Sequence, residues 1–412
     1  MYIDIYKQLR EKVDYQQSYI DLNEIVVRNF TYKSGNYNIL PGAGEYECGK
    51  HNYRTDECYS FCLKTSIVSD VLDIHDAEIE DNITFRYHIV SPKGVEKAKE
   101  IVLLFHGLNE KDWCKYMPWA KAIAERTGKS VVLFPLAFHM NRAPKSWSES
   151  RLMFDASNQR KQVRPNVIAS SLSNVAISVR ISEKPQRFVW SGLQTYYDVI
   201  DFIKDYKAGN HPFISADATV DLFSYSIGSF LSQILIISNE NGYFTNSKLC
   251  IFCGGPVFNR FSPVTKFILD SEANVTLYSF LVEHLESHMK NDSRLNHYLN
   301  GDHIEGTVFR SLLSYNVNSE LREGAFRKLS SQILAIGLKQ DMVIPPYEMI
   351  NTLQGKYRDI PVRVDVLDFP YTYKHEDPFP AIAKHKHEVN EAYNRVFDTF
   401  CNFLNAGSEQ PG

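Results

Sequence analysis

The chain has 412 residues, of which 44% are hydrophobic and 23% charged, and its formal net charge is −4. This composition is ordinary for a globular protein and argues against extensive disorder. Nucleic-acid-binding proteins usually carry a strongly basic face, so the slightly acidic balance predicts no nucleic-acid partner.

The N-terminal segment predicts a helix but no export signal. The opening residues, MYIDIYKQLREKVDYQQ, contain neither an apolar h-region nor a small-residue cleavage site. No apolar run approaches the roughly 20 residues that a membrane helix requires. We therefore expect no membrane span and a cytoplasmic location. Residues 1–80 are polar and rich in Tyr, Asn and Asp, and we predict that they form an extension packed on the core.

The chain has seven cysteines, at positions 48, 58, 62, 114, 250, 253 and 401. An odd number of cysteines in a chain without an export signal predicts free thiols. Cys250 and Cys253 have CxxC spacing, but they lie in an apolar strand pattern that should point them to opposite faces. A second group, Cys48, His51, Cys58 and Cys62, contains zinc-ligating residue types, yet its spacing matches no standard zinc finger. We therefore predict no metal and no cofactor.

From residue 83 onward the pattern alternates between strands and helices. Strands are predicted at ITFRYHIV (83–90), IVLLF (101–105), SVVLFPL (130–136), TVDLFSYS (219–226), KLCIFCGG, QILAIGL and VRVDVLDF. Helices are predicted over 118–125, 194–206, 228–238 and 390–404. This alternation predicts an α/β fold with a mostly parallel central sheet and helices on both faces.

Two long segments interrupt the alternation. Residues 137–190 are predicted to form a large loop, and residues 256–328 a helical cap insertion, which leaves residues 81–255 and 329–412 as the core. The cap should lie over the carboxyl ends of the strands, where α/β proteins bind ligands. We expect its aromatic residues to help form an acyl pocket; these are Phe258, Phe261, Phe267, Tyr278 and Phe280.

The segment FSYSIG (223–228) carries the sharpest functional signal. It follows an apolar strand and leads directly into an apolar helix, the context of a nucleophile elbow. Residues two positions before and after the nucleophile must be small, because the strand and the helix nearly touch. Gly228 satisfies this requirement, and Ser224 is small although glycine is usual there. The pattern predicts Ser226 as a nucleophile beside the positive end of a helix dipole.

These motifs and their order resemble the α/β-hydrolase superfamily over roughly residues 83–405, excluding the insertions. The resemblance implies an α/β-hydrolase fold and a catalytic triad in the chain order serine, acid, histidine. The acid is expected after the strand QILAIGL, where Asp341 lies between Gly337 and Pro345. Asp365 and Asp368, in or at the end of the next strand, fit less well.

The family's histidine lies in the loop after the last strand. His375 occupies that loop in the segment PYTYKHE (370–376), directly after VRVDVLDF. His385 and His387 compete for the role near the start of the terminal helix. An acid at Asp341 would orient His375 so that it accepts the proton of Ser226.

The strand IVLLF runs into His106, Gly107 and Leu108, which resembles the family's H-G motif. The mechanism needs two backbone N–H groups directed at the developing oxyanion. The resemblance implies that Ile227 and Leu108 supply them. Gly107 would allow the tight turn, and His106 would brace the loop.

The predicted activity is that of a serine hydrolase, carboxylesterase-like, which cleaves an ester or related acyl bond of a small molecule through an acyl-enzyme. A non-enzymatic binding protein on the same fold remains an alternative, as does a cofactor-free haloperoxidase or a peptidase that uses the same triad. A nucleotide-binding protein is not favoured, since no glycine-rich phosphate motif follows a strand.

Overall fold

The computed structural model describes residues 1–44, 46–55 and 69–406. The helices of this part of the chain are α1 (Tyr2–Lys12), α2 (Glu80–Ile83), α3 (Tyr116–Thr127), α4 (Ser150–Val163), α5 (Val175–Glu183), α6 (Arg187–Lys207), α7 (Gly228–Ser238), α8 (Ser271–Tyr278), α9 (Leu285–Asn291), α10 (Ser293–Leu299), α11 (Ile304–Ser311), α12 (Ser319–Leu329), α13 (Pro346–Leu353) and α14 (Lys386–Asn405). The strands are β1 (Tyr19–Asp21), β2 (Ile25–Lys33), β3 (Tyr46–Cys48), β4 (Tyr53–Thr55), β5 (Thr84–Pro92), β6 (Ala98–Phe105), β7 (Ser130–Leu133), β8 (Ile214–Tyr225), β9 (Leu249–Phe252), β10 (Ile333–Leu338) and β11 (Arg363–Leu367).

The described residues form a nine-stranded sheet in the order β1-β2-β5-β7-β6-β8-β9-β10-β11. The strands from β7 to β11 in this order pair in parallel, whereas β5, β2 and β1 pair antiparallel at one edge. Parallel strands place their carboxyl ends at one sheet edge, so the loops after β6, β8, β10 and β11 can meet there.

Helices cover both faces of this sheet. Alternate residues of β6 enter different cores: Val102 and Leu104 join the layer of α1, α3 and α14, whereas Ile101 and Leu103 join the layer of α6 and α7. A strand that is buried on both faces has a continuous run of apolar residues, and for this reason IVLLF predicts a buried strand from sequence alone. The predicted class, an α/β fold with a mostly parallel sheet, is confirmed.

Two parts of the chain differ from the sequence-based expectation. β1 and β2 extend the edge of the central sheet, so part of residues 1–80 belongs to the sheet and is not only packed against it. Residues 137–190, predicted as a loop, contain α4 and α5. No helix among the described residues is long and apolar enough to cross a membrane.

A buried ion pair joins the two long interruptions of the core. Arg160 on α4 makes two hydrogen bonds to Asp270, from Nε to Oδ2 at 2.5 Å and from Nη2 to Oδ1 at 2.9 Å. Asp270 also caps α8 by accepting the backbone N–H of Ala273 at 3.0 Å. The pair thus fixes the first cap helix against the 137–190 segment.

A second buried ion pair lies beneath the antiparallel edge. Arg142 Nη2 is 2.8 Å from Asp198 Oδ2, and both side chains are fully buried. Asp198 also accepts hydrogen bonds from Ser34 Oγ at 2.6 Å and Asn36 Nδ2 at 3.0 Å. Burial lowers the pKa of Arg142 and raises that of Asp198, so each charge depends on the other for compensation.

We expect Arg142→Ala to lower the free energy of unfolding by about 3–5 kcal/mol, because it leaves the Asp198 carboxylate buried without its cationic partner. The control is Arg327→Ala, which breaks the exposed pair with Asp359 and should change stability by less than about 1 kcal/mol. Chemical denaturation followed by circular dichroism measures both. Equal effects of the two substitutions would contradict the assigned role of the buried pair.

Candidate active site

Ser226 occupies the turn between β8 and α7, with a left-handed backbone at φ +55°. The turn lies against the end of β6: a Cβ on Gly228 would come within 2.7 Å of the Phe105 carbonyl oxygen and 2.8 Å of the His106 carbonyl oxygen. Real Cβ atoms do not tolerate such contacts, so glycine is required at position 228. Ser224, buried two residues before the turn, donates a hydrogen bond to the Cys250 carbonyl at 3.3 Å.

The three residues predicted from sequence as a triad form one hydrogen-bonded chain. His375 Nε2 lies 2.8 Å from Ser226 Oγ, and His375 Nδ1 lies 2.7 Å from Asp341 Oδ2. The other carboxylate oxygen of Asp341 accepts the backbone N–H groups of Val343 and Ile344, each at 2.9 Å. Since a carboxylate only accepts, Nδ1 carries the proton and the Nε2 lone pair faces the serine hydroxyl. All three side chains are buried.

The competing acids have partners elsewhere. Asp365 pairs with Arg363, with a 2.6 Å hydrogen bond from Nη2. Asp368 accepts hydrogen bonds from Gln340 Nε2 and the Tyr373 hydroxyl, both at 3.0 Å. Of the competing histidines, His385 packs near the ring of Tyr371. The geometry therefore joins Asp341, and neither competing acid, to the buried histidine.

The H-G loop after β6 is held by its own histidine. His106 Nδ1 donates to the Gly107 carbonyl at 2.8 Å, and Nε2 accepts the Leu136 N–H at 3.0 Å. Complete burial holds the pKa of His106 well below its usual range, so the ring stays neutral and suits this pair of hydrogen bonds. Among the described residues, the backbone N–H groups of Leu108 and Ile227 donate to no protein acceptor.

Sequence reasoning missed a polar network behind this loop. The Tyr116 hydroxyl accepts the Gly107 N–H at 2.9 Å and donates to Glu110 Oε1 at 2.9 Å. Lys115 pairs with the same carboxylate and donates to the Glu376 carbonyl at 3.0 Å. The network connects the H-G loop with the histidine loop. Tyr116 and Lys115 stand at the start of a helix, where no motif distinguishes them.

Tyr225, directly before the nucleophile, was also missed. Its hydroxyl donates to the backbone carbonyl of His375, and its ring stacks on the imidazole with centroids 5.3 Å apart and planes 20° apart. Burial raises the pKa of Tyr225 well above its usual value, which keeps the phenol protonated as a donor. The residue therefore orients the histidine from both its main chain and its ring.

Two concave regions meet at Leu108. A groove contains Ser226 and His375. It is bordered by residues of the H-G loop, the 137–190 segment, the cap and the connection between β11 and α14, including Lys111, Ser173, Phe267, Lys374 and Ile382. A second, strongly apolar pocket lies behind Ile227 and includes Leu136, Phe188, Gly192, Phe230, Leu231, Ile234, Leu299, Glu305 and Phe309. Ser226 and His375 thus lie beside a groove that is bordered by several charged residues, and the apolar pocket adjoins it at Leu108.

The cap contributes to both regions, but only one of the five expected aromatic residues directly borders either of them. Of the five aromatic residues named from sequence, Phe267 borders the groove. Phe258 packs against Phe188, with ring centroids 5.4 Å apart, and so supports the apolar pocket from behind. Tyr278 is exposed. The cap residues that border the apolar pocket are Leu299, Glu305 and Phe309.

The cysteines noted in the sequence fall into two groups. Cys250 and Cys253 lie in the same hydrophobic layer, because β9 ends at Phe252 and Cys253 adopts φ +48°. The predicted opposite orientation is wrong, but burial raises the pKa of both thiols and leaves them poor nucleophiles. In the second group, Cys58 and Cys62 lie outside the described residues, whereas Cys48 Sγ is 3.7 Å from His51 Nδ1.

Solved structures similar to this chain include three esterases of low sequence identity. Carboxyl esterase 2 from the mycorrhizal fungus Tuber melanosporum is 12% identical, with 78% of this chain and 81% of that chain covered and a TM-score of 0.38. The hyperthermophilic esterase from the archaeon Pyrobaculum calidifontis is 12% identical, with 78% and 79% covered and a TM-score of 0.40. A cold-adapted esterase from an Arctic intertidal metagenomic library is 10% identical, with 95% and 98% covered and a TM-score of 0.37.

A search of curated protein sequences finds no match to this chain. The sheet order and the elbow of the chain itself define its α/β-hydrolase fold. Its sequence matches the family described as "Family of unknown function (DUF6051)" over residues 1–405, and the protein belongs to that family.

Proposed function

We propose that this protein is a serine hydrolase that cleaves an ester or related acyl bond of a small molecule. One observation carries the proposal: the hydrogen-bonded chain from Ser226 Oγ through His375 to Asp341, placed on a strained elbow at the carboxyl end of the sheet. Strained backbone conformations of this kind persist where the surrounding structure fixes them, often at functional sites.

In the first half of the reaction, Ser226 Oγ attacks the substrate carbonyl carbon while His375 Nε2 accepts the hydroxyl proton. Asp341 stabilises the imidazolium through the Nδ1 hydrogen bond. The carbonyl oxygen becomes an oxyanion, which accepts hydrogen bonds from the backbone N–H groups of Ile227 and Leu108. His375 then protonates the leaving alcohol or amine as its bond to carbon breaks, which leaves an acyl group on Ser226.

In the second half, water replaces the leaving group. His375 Nε2 takes one proton from the water while the water oxygen attacks the acyl carbon. The same two N–H groups donate hydrogen bonds to the second oxyanion. Collapse of this intermediate breaks the bond to Ser226 Oγ, which recovers its proton from His375. The products are a carboxylic acid and the free enzyme.

The apolar pocket is suited to the acyl side of the substrate. It begins beside Leu108 and Ile227, the residues assigned to the oxyanion, and continues between α6, α7 and α11. The groove carries charged residues, among them Lys111, Asp112 and Lys374, and suits a more polar leaving group. The substrate class that fits best is an ester with an apolar acyl group and a polar alcohol.

Ser226→Ala should reduce kcat for ester hydrolysis by about 10⁴–10⁶-fold, because the acyl-enzyme cannot form. It should also abolish labelling by a fluorophosphonate probe, with the probe mapped by mass spectrometry to Ser226 in the parent protein. Ser215→Ala, at the opposite end of β8, is the matched control and should keep both the esterase activity and the probe labelling. Activity of Ser226→Ala within tenfold of the parent would remove Ser226 as the nucleophile.

Asp341→Asn should lower kcat by about 10⁴-fold, because the amide favours the wrong imidazole tautomer. Asp365→Asn, which changes a competing acid on β11, should stay within about twofold of the parent since its effect is confined to the surface. Steady-state kinetics with a p-nitrophenyl ester measures both variants. A larger loss of kcat in Asp365→Asn than in Asp341→Asn would show that Asp341 is not the acid of the triad.

Gly192→Leu tests the acyl pocket. Gly192 borders this pocket on α6, and a Cβ there meets no atom within 4 Å. The leucine side chain should therefore narrow the pocket without a clash and reduce kcat/KM for octanoate esters at least about tenfold relative to acetate esters. Gly192→Ala is the control and should leave the acyl-length profile unchanged. An equal change in kcat/KM for esters of all acyl lengths would show that the acyl group binds outside this pocket.

A further inference from the structure

Three histidines and one cysteine converge at a place that contains none of Ser226, Asp341 and His375. Cys48 ends β3 and His51 lies in the turn before β4, whereas His297 is on α10 and His303 caps α11. One candidate ligand atom from each residue lies within 4.8 Å of all the others. The spacings, C-x₂-H and H-x₅-H, are of the kind found in protein zinc sites.

Four of the six distances within this cluster are close to those of a tetrahedral metal site, and the other two are no longer than 4.8 Å. Cys48 Sγ is 3.5 Å from His303 Nε2 and 3.7 Å from His51 Nδ1. His303 Nε2 is 3.2 Å from both His51 Nδ1 and His297 Nε2. A zinc ion with Zn–S about 2.3 Å and Zn–N about 2.0–2.1 Å separates neighbouring ligand atoms by roughly 3.3–3.6 Å.

Hydrogen bonding alone does not account for this convergence. His303 Nε2 lies within 3.5 Å of three other candidate ligand atoms. An imidazole nitrogen has either one proton or one lone pair in the ring plane, so it forms a single good hydrogen bond. A shared cation interacts with all four atoms at once.

The groups around the cluster orient the histidines as metal ligands. His303 Nδ1 donates to Glu305 Oε1 at 2.9 Å, which leaves the Nε2 lone pair directed into the cluster. The Tyr197 hydroxyl holds the same carboxylate oxygen at 2.5 Å. His297 Nδ1 is 3.6 Å from Asp302 Oδ2. Carboxylates that receive the second N–H of a histidine are the usual outer contacts of zinc ligands.

We propose that Cys48, His51, His297 and His303 bind a structural Zn²⁺. One thiolate and three imidazoles in a tetrahedral arrangement suit zinc, and four protein ligands close the site to substrate. The proposal replaces the sequence-based expectation of no metal: Cys48 and His51 are ligands, and their partners His297 and His303 come from the cap.

The zinc would join the β3–β4 hairpin to the cap. Helices α10 and α11 and their short connection carry both cap ligands, and they also border the apolar pocket through Leu299 and Glu305. Metal binding would therefore stabilise one wall of that pocket without touching Ser226. The zinc site does not depend on the proposed hydrolase activity, and its tests do not measure turnover.

The first test is the metal content of the purified full-length protein by plasma mass spectrometry. We expect one zinc per chain in the parent, and loss of zinc from Cys48→Ser and from His297→Ala. His284→Ala, an exposed histidine of the same insertion, and Cys114→Ser are matched controls that should keep the zinc. Cys58→Ser and Cys62→Ser should also keep it. Zinc retained in both ligand variants, or lost only from the Cys58 and Cys62 variants, would overturn the assigned ligands.

The second test uses the parent protein alone, so it does not depend on the folding of any variant. Removal of metal with a chelator should lower Tm, and added zinc should restore it by several degrees because a ligand that binds the folded state stabilises it. Cobalt in place of zinc should give the visible absorption of a tetrahedral site with a thiolate charge-transfer band. No change in Tm and no such spectrum after cobalt addition would overturn the proposal.

Glu305→Gln tests the outer contact. The amide keeps the shape of the side chain but weakens the acceptor for His303 Nδ1–H, so zinc affinity should fall about 10–100-fold while the four ligands stay intact. Competition with a chromophoric chelator measures the affinity. Glu286→Gln, which changes an exposed carboxylate of α9, is the matched control and should leave the affinity unchanged. An unchanged affinity in Glu305→Gln would remove Glu305 from the site.

Discussion

The site depends on the close approach of the elbow to the end of β6. Because β6 and β8 are parallel neighbours, the first turn of α7 packs directly on the backbone of the H-G loop. This contact requires Gly228 and the left-handed conformation of Ser226. This contact therefore fixes both the turn that carries Ser226 and the H-G loop that lies against it.

The positions of the two residues hydrogen-bonded to Ser226 in the proposed triad follow from the sheet order. β10 and β11 lie beyond β9, and their loops carry Asp341 and His375 to the edge where Ser226 lies. Packing then fixes the side chains: two backbone N–H groups hold the Asp341 carboxylate, and Tyr225 holds His375 through its carbonyl and ring. A charge-relay geometry needs such supporting contacts, since misplacement of a reacting group by an ångström is enough to reduce the rate strongly.

The insertions are held to the core by polar links between distant parts of the chain. The Arg160–Asp270 pair joins α4 to the first cap helix, and Asn109 Nδ2 donates to the carbonyls of Ser173 and Phe267 at 2.9 Å and 2.6 Å. The histidine–cysteine cluster attaches the β3–β4 hairpin to the far end of the same cap. Each link joins directional polar groups of segments that lie far apart in the sequence.

The sequence by itself determined the α/β class, the core strands and the elbow, because buried parallel strands are continuous apolar runs and the elbow is a local strand–turn–helix pattern. The resemblance to the α/β-hydrolases also pointed to Asp341 and His375, since it implies an acid after the strand QILAIGL and a histidine in the loop after the last strand. Only the tertiary structure joined Tyr116, Lys115 and Tyr225 to the site, as their partners are distant and their residue types are common in any core. For the same reason the sequence could not link Cys48 and His51 with His297 and His303. These residues are about 250 positions apart and have no recognisable spacing, and only the folded chain brings them close enough to bind one ion.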